Sequence, residues 1–150
     1  MITWRLKPFE QLLPAELYEV LRLRQEVFIL EQNCVFVDAD KKDAPSLHLL
    51  GYENGELVAY SRIVPPGVIY EEPSIGRIVT PLKVRKLGYG KQLMEKSILE
   101  TERRYGKVPI RIMAQSYLKK FYEGYGFMQE GEEFLEDGIP HIIMLRQAAQ

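Results

Sequence analysis

The sequence predicts a fold of the α/β (α+β) class: a mixed, mostly antiparallel sheet of about seven strands with helices on its faces. Three observations carry this reading. Short β-rich apolar runs alternate with stretches of helical apolar spacing. The turn pairs Asn54-Gly55 and Asp137-Gly138 each separate two such runs. A glycine-rich turn, Gly88-Tyr89-Gly90, leads out of a strand region into a helix. The 150 residues suit one domain over 1–150, with enough chain to bury a substantial core.

Thr3 to Lys7 reads as the first strand, ended by Pro8. Pro14 pre-sets the first turn of a helix through about Leu30, whose Leu17, Val20, Leu21, Val27 and Phe28 keep helical spacing around an intruding Arg24. Glu31 to Pro45 is polar and reads as a loop, with Lys41 and Lys42 solvated among Asp38, Asp40 and Asp43. Leu47–Glu53 and Glu56–Val64 form a hairpin across Asn54-Gly55, which tolerates positive φ. Pro65-Pro66-Gly67 turns the chain toward a strand from Ile75 to Thr80, stopped by Pro81. Lys91 through Tyr105 is helical, burying Leu93, Met94 and Ile98, and Gly106 closes it. Ile110–Ala114 is a short buried strand, and the crossover from Ile75 through Ala114 implies a parallel pair. A helix from about Tyr117 to Tyr125, ended by Gly126, precedes strands Phe127–Phe134 and Ile139–Leu145.

Composition narrows the function. Hydrophobic residues make up 46% and charged residues 27%, an ordinary globular balance. The net charge of −1 gives no basic surplus for nucleic acid. The first residues lack a signal peptide's apolar run, and no segment approaches spanning length, so no membrane association is expected. A lone Cys34 excludes an internal disulfide, argues against a cysteine-rich zinc site and fits the cytoplasm; no metal is expected.

The stretch Arg85-Lys86-Leu87-Gly88-Tyr89-Gly90-Lys91 carries the most chemistry. A glycine turn at a helix start exposes backbone N–H groups at the positive end of the helix dipole, a ready phosphate site. Arg85, Lys86 and Lys91 add cations. The same residues also fit a plain helix start with solvated charges. The spacing matches neither G-x-x-x-x-G-K-[ST] nor G-x-G-x-x-G.

This R-x-x-G-x-G pattern resembles the pyrophosphate loop of the GNAT N-acetyltransferase superfamily. Ser74-Ile-Gly-Arg-Ile-Val-Thr80 ahead of it, and Phe121-Tyr122-Glu-Gly-Tyr-Gly126-Phe127 after it, extend the resemblance. More narrowly, the chain resembles the ElaA-like branch: Leu23-Arg24-x-x-Val27-Phe28, Glu31-Gln32-x-Cys34, His48-Leu49, Pro65-Pro66-Gly67, Ala114-Gln115 and Glu136-Asp-Gly-Ile-Pro-His141 follow in order. Three positions depart. Lys86 stands where many relatives have glycine, Tyr117 where the branch often has histidine, and Ser74 to Ile78 lacks the acidic residue that many members use as base.

The resemblance implies a GNAT-type sheet and acetyl transfer from acetyl-coenzyme A to a primary amine by direct attack on the thioester. Arg85, Lys86, Leu87, Gly88, Tyr89, Gly90 and Lys91 would cradle the pyrophosphate. Ile78, Val79 and Thr80 would pair with the pantetheine arm, the Val79 N–H serving the oxyanion; an ordinary sheet strand fits them too. Tyr122 would protonate the departing thiolate, since a phenol with a pKa of about 10 is protonated at neutral pH. It would also pack well in an aromatic core beside Phe121, Tyr125 and Phe127.

Glu31, His48, Glu136, Asp137 and His141 are expected to gather near the acceptor amine, with His48 or Glu31 as base directly or through water. Each has a structural alternative: Glu31 ends a helix, His48 satisfies a core strand, Glu136 and Asp137 serve a turn, and His141 serves a sheet. Arg62 and Arg77, on apolar strands, read as sheet ion pairs rather than catalysts. The expected partners are a small-molecule or peptide amine and a second copy of the chain across exposed sheet edges. An acyl-coenzyme A sensor without turnover is the competing reading. A nucleotide-binding protein lacks the magnesium-binding serine or threonine after the glycines.

Overall fold

Four antiparallel strands, β1 (Thr3–Pro8), β2 (Leu47–Glu53), β3 (Glu56–Val64) and β4 (Ser74–Val79), lie side by side in chain order in the computed structural model, which describes residues 1–148. The remaining strands, β5 (Ile110–Gln115), β6 (Phe127–Glu136) and β7 (Ile139–Arg146), form a second antiparallel sheet in the order β5-β7-β6. The seven strands fall where apolar runs and turn residues predict them. They make two sheets, however, rather than one.

The expected parallel pairing of β4 with β5 shrinks to a single backbone bond, from the Arg111 N–H to the Pro73 carbonyl at 3.1 Å. Beyond it the strands part. The cause lies in β4: Tyr60 faces Val79 and Arg62 faces Gly76, so β4 carries one residue more than β3 over this stretch. Arg77 sits in that bulge with φ +49°, a left-handed backbone uncommon for a non-glycine residue. Such a bulge bends its strand and raises its twist. The edge of β4 that β5 has left keeps backbone groups free to face the gap.

Three helices position the opening. Helix α1 (Pro14–Arg24) continues through a π-helical stretch, Gln25–Glu31, so the predicted helix reaches its expected end with a widened last part. Helix α2 (Tyr89–Tyr105) buries Leu93, Met94 and Ile98, and also Ser97, whose hydroxyl meets that of Ser61 at 2.7 Å. Helix α3 (Lys119–Glu123) is shorter than its sequence pattern, because a 3-10 turn, Ser116–Leu118, takes the first residues.

The closed end of the gap is sealed by one apolar cluster. Ile75 of β4, Met94 and Ile98 of α2, Ile110 and Ile112 of β5, Phe127 of β6, and Ile142 and Met144 of β7 pack together. Each such side chain contributes about 1.5–3 kcal/mol on burial, so the two sheets are joined by packing where hydrogen bonds are missing. No helix among the described residues is long and apolar enough to cross a membrane.

Candidate active site

A cavity of about 700 Å³ fills the gap between β4 and β5. Ile78, Val79 and Thr80 line one wall, Ala114 and Gln115 the other, and Tyr122 and Phe121 of α3 the inner end. Arg85 and Gly90 border it at the start of α2, and Glu31, Cys34, Glu136, Asp137 and His141 line it as well.

The glycine turn is built for close backbone approach. Gly88 caps α2 in the left-handed region, φ +83°, which glycine adopts without a Cβ clash. The first intrahelical bond starts only at the Gln92 N–H, donated to the Gly88 carbonyl at 3.2 Å, so the amides of Tyr89, Gly90 and Lys91 have no acceptor within the helix. A Cβ built on Gly88 or Gly90 would meet nothing within 4 Å. Arg85 turns a guanidinium N–H onto the Thr80 carbonyl at 3.0 Å and pairs with the Glu31 carboxylate. Of the seven residues expected in the cradle, Arg85 and Gly90 line the cavity. Lys86, Leu87 and Lys91 are exposed. The Tyr89 side chain points elsewhere, its hydroxyl donating to Glu53 at 2.5 Å, which leaves its backbone amide to the turn.

Tyr122 is 6% exposed, with Phe121 and Phe127 edge-on to its ring at 5.2 and 6.1 Å. Its hydroxyl makes no hydrogen bond to another group among the described residues. Burial, with a smaller contribution from Tyr117, pushes its pKa up to about 12, so the phenol stays protonated across the physiological range. The Tyr122 ring belongs to the core, as its aromatic neighbours suggest, and the residue also lines the cavity.

His48 is a correction. It is 1% exposed, away from the cavity lining, and stacks near Tyr60. Its Nε2 lies 2.9 Å from the Asp43 carbonyl, which can only accept, so Nε2 carries the proton. Nδ1 then accepts from the Tyr60 hydroxyl at 2.7 Å. Burial lowers its pKa and keeps it neutral. With both nitrogens engaged inside the protein, His48 is a core histidine and neither base nor acceptor ligand. Glu31, Glu136, Asp137 and His141 do come together around the one cavity with Tyr122.

The loop after α1 is the second correction. Its aspartates are not solvated but form a network with three arginines. Buried Arg24 donates from Nε to Asp38 at 2.7 Å and from Nη1 to Asp43 at 2.8 Å. Arg62 donates to Asp40 at 2.7 and 2.9 Å, and Arg77 to Asp38 at 2.8 Å. The sheet ion pairs expected of Arg62 and Arg77 are thus present, and Lys41 is exposed as expected. The overlooked signal was charge arithmetic: three arginines on apolar faces require three carboxylates, and Asp38, Asp40 and Asp43 supply them. Across the opening, Gln115 donates to Gln32 at 3.1 Å and the Cys34 thiol to the Asp137 carbonyl at 3.5 Å, tying this loop to the second sheet.

Known proteins are similar to this chain in sequence and fold. The acetyltransferase (GNAT) domain family matches residues 25–147. The ElaA protein of Escherichia coli is 38% identical over 152 residues, covering 100% of this chain and 99% of its own. A UPF0039 protein of Synechocystis is 39% identical over 145 residues, 96% of this chain and 94% of that one. The crystal structure of an acyl-CoA N-acyltransferase from Pseudomonas aeruginosa superposes with a TM-score of 0.93 at 38% identity, covering 97% of this chain and 99% of that one. The ElaA crystal structure gives 0.92, also at 38% identity, covering 98% and 100%. The likeness runs along the whole length of these relatives, and the chain belongs to the GNAT acetyltransferases, which use an acyl-coenzyme A as cosubstrate.

Proposed function

We propose that the protein transfers an acetyl group from acetyl-coenzyme A to a primary amine. The observation that carries this reading is a single cavity that reaches from the unsatisfied amides at the start of α2 to Tyr122. The residues present fit the cosubstrate. The first-turn amides and Arg85 suit a pyrophosphate, the cavity bordered by Ile78 to Thr80 suits an extended arm, and open space at Gly88 and Gly90 lets phosphate approach the backbone. When bound, acetyl-coenzyme A supplies an activated carbonyl.

The chain's own groups do the rest. The N–H of Val79, a residue that lines the cavity, stabilises the oxyanion, a contribution of about 3–4 kcal/mol where such donors have been removed. Tyr122, held protonated by burial, donates to the departing thiolate. Glu136 and Asp137, on an exposed turn at the cavity rim, draw an ammonium toward it.

The test is thiol release from acetyl-coenzyme A with a panel of amino acids, polyamines, aminoglycosides and peptides with free N-termini, with mass spectrometry of the products. An acetylated amine with stoichiometric thiol supports the reading. Tight binding of acetyl-coenzyme A without thiol release would assign the protein as a sensor instead.

A further inference from the structure

We infer that His141 is the general base that takes the proton from the acceptor amine; the inference rests on the acetyl-transfer reading above. The chain has two histidines, and the structure separates them. His48 has both nitrogens engaged in the core. His141 lines the cavity with one nitrogen anchored and the other free. Its Nδ1 lies 2.7 Å from the Ile139 carbonyl, an acceptor, so Nδ1 carries the proton and Nε2 keeps its lone pair. Nε2 has no partner among the described residues and is not sealed off from solvent. Phe134 stacks on the ring with centroids 6.3 Å apart and an interplanar angle of 26°, which fixes its plane. A base oriented through one nitrogen and unpartnered at the other is the arrangement proton abstraction requires.

Elimination leads to the same residue. Among the titratable groups bordering the cavity, Glu31 is paired with Arg85, and Asp40 with Arg62 and Arg77. Cys34 donates its thiol proton to the Asp137 carbonyl, and Tyr117 and Tyr122 are phenols. Glu136 and Asp137 are exposed carboxylates on the turn before β7, placed to attract a cation. His141 is the nitrogen base that remains, and β4 offers no acidic residue in its place.

The step balances. Nε2 of His141 removes one proton from the ammonium, giving a free amine and an imidazolium. The amine nitrogen bonds to the thioester carbon, the carbonyl π pair moves to oxygen, and its return expels the thiolate. Tyr122 protonates the thiolate, and the second proton of the new amide nitrogen restores Tyr122 through solvent. The imidazolium returns its proton to solvent, so one proton is released overall.

The free protein offers the first test: long-range ¹H–¹⁵N NMR should show the neutral His141 ring protonated at Nδ1, and an Nε2-protonated ring would overturn the assignment. In catalysis, with the panel amine that turns over fastest, His141→Gln should keep coenzyme A affinity by calorimetry and lose roughly 10²–10⁴-fold in kcat/KM for the amine near neutral pH. Its rate should climb steadily with pH as solvent deprotonates the amine, and added imidazole should restore activity to His141→Ala. Glu136→Gln should raise KM without moving the pH profile. Full activity with an unshifted profile in His141→Gln, or a profile moved by Glu136→Gln instead, overturns the base alone. A wild-type protein that acetylates no amine overturns the acetyl-transfer reading and the base with it.

Discussion

Arg77 donates from Nε to Asp38 at 2.8 Å from a left-handed backbone, φ +49°. The other carboxylate oxygen of Asp38 accepts from Nε of buried Arg24 at 2.7 Å. One aspartate from the loop thus ties α1 to the bulge that parts β4 from β5. A left-handed non-glycine residue costs about 1–2 kcal/mol, and the buried ion pairs hold it there. Asp38→Asn removes the charge that both guanidiniums share while keeping the size. We expect a loss of about 3–5 kcal/mol, the range for breaking a buried pair from one side. Urea denaturation measures it, and a loss below about 1 kcal/mol would mean that Arg24 and Arg77 find other partners.

The same network sets the acid limit of stability. Burial alone would raise the Asp40 pKa, but hydrogen bonds from Arg62 and the Lys42 amide outweigh it and bring it down to about 2. Asp43 is lowered too: burial opposes, and Arg24 and Arg62 prevail. A carboxylate with a folded pKa below its unfolded value stabilises the fold above the unfolded value, about 3.9, and loses that contribution as pH falls through the folded one. Stability should therefore drop between about pH 4 and pH 2. Asp40→Asn should be less stable at neutral pH and show a shallower drop in that window, as read from thermal melts across pH.

His48 adds a separate slope with its own sign. Burial lowers its pKa, so below about pH 6.5 the unfolded chain binds a proton that the folded core refuses. Stability should begin to fall as pH drops past that value. His48→Gln should flatten this slope and leave acetyl transfer intact, since the ring lies outside the cavity lining. A variant that folds but loses turnover would return His48 to the site.

Tyr122→Phe isolates one hydroxyl. The ring contacts with Phe121 and Phe127 remain, so the fold and coenzyme A affinity should be unchanged. If the acid step limits the rate, turnover should fall on the order of 10²–10⁴-fold. Since the phenol pKa is pushed up to about 12, no Tyr122 ionisation should appear in the wild-type profile at moderately alkaline pH. Wild-type turnover under saturating substrates would leave Tyr122 as packing.

Turn residues and periodicity made the elements legible. Asn54-Gly55 joins β2 to β3, and Asp137-Gly138 joins β6 to β7, where the sequence places them. The parting of the sheets was not legible, because it turns on one extra residue in β4, and an arginine carries no mark of positive φ. The two histidines were indistinguishable in sequence: each sits near a strand end among apolar neighbours. What separates them is where the second nitrogen goes, a tertiary property. Asp38, Asp40 and Asp43 looked like solvated loop because their arginine partners lie 14 to 39 residues away along the chain.

Gly90 gives the cleanest test of the anion cradle. Gly88, its neighbour in the motif, holds φ +83°, so any side chain there strains the backbone before a ligand is involved. Gly90 lies within α2 without positive φ, and a Cβ built on it meets nothing within 4 Å. Gly90→Val should therefore fold, with melting close to wild type apart from the modest lower helix propensity of a β-branched residue. In the proposed complex, its methyl groups would occupy the space through which phosphate oxygens reach the first-turn amides. Coenzyme A affinity should fall tenfold or more, a loss of about 1.4 kcal/mol or greater. Calorimetry on the folded variant decides the matter, with dephosphorylated pantetheine as the control that lacks the pyrophosphate. Pantetheine should bind both forms alike. If coenzyme A does so too, its pyrophosphate is held somewhere other than the start of α2.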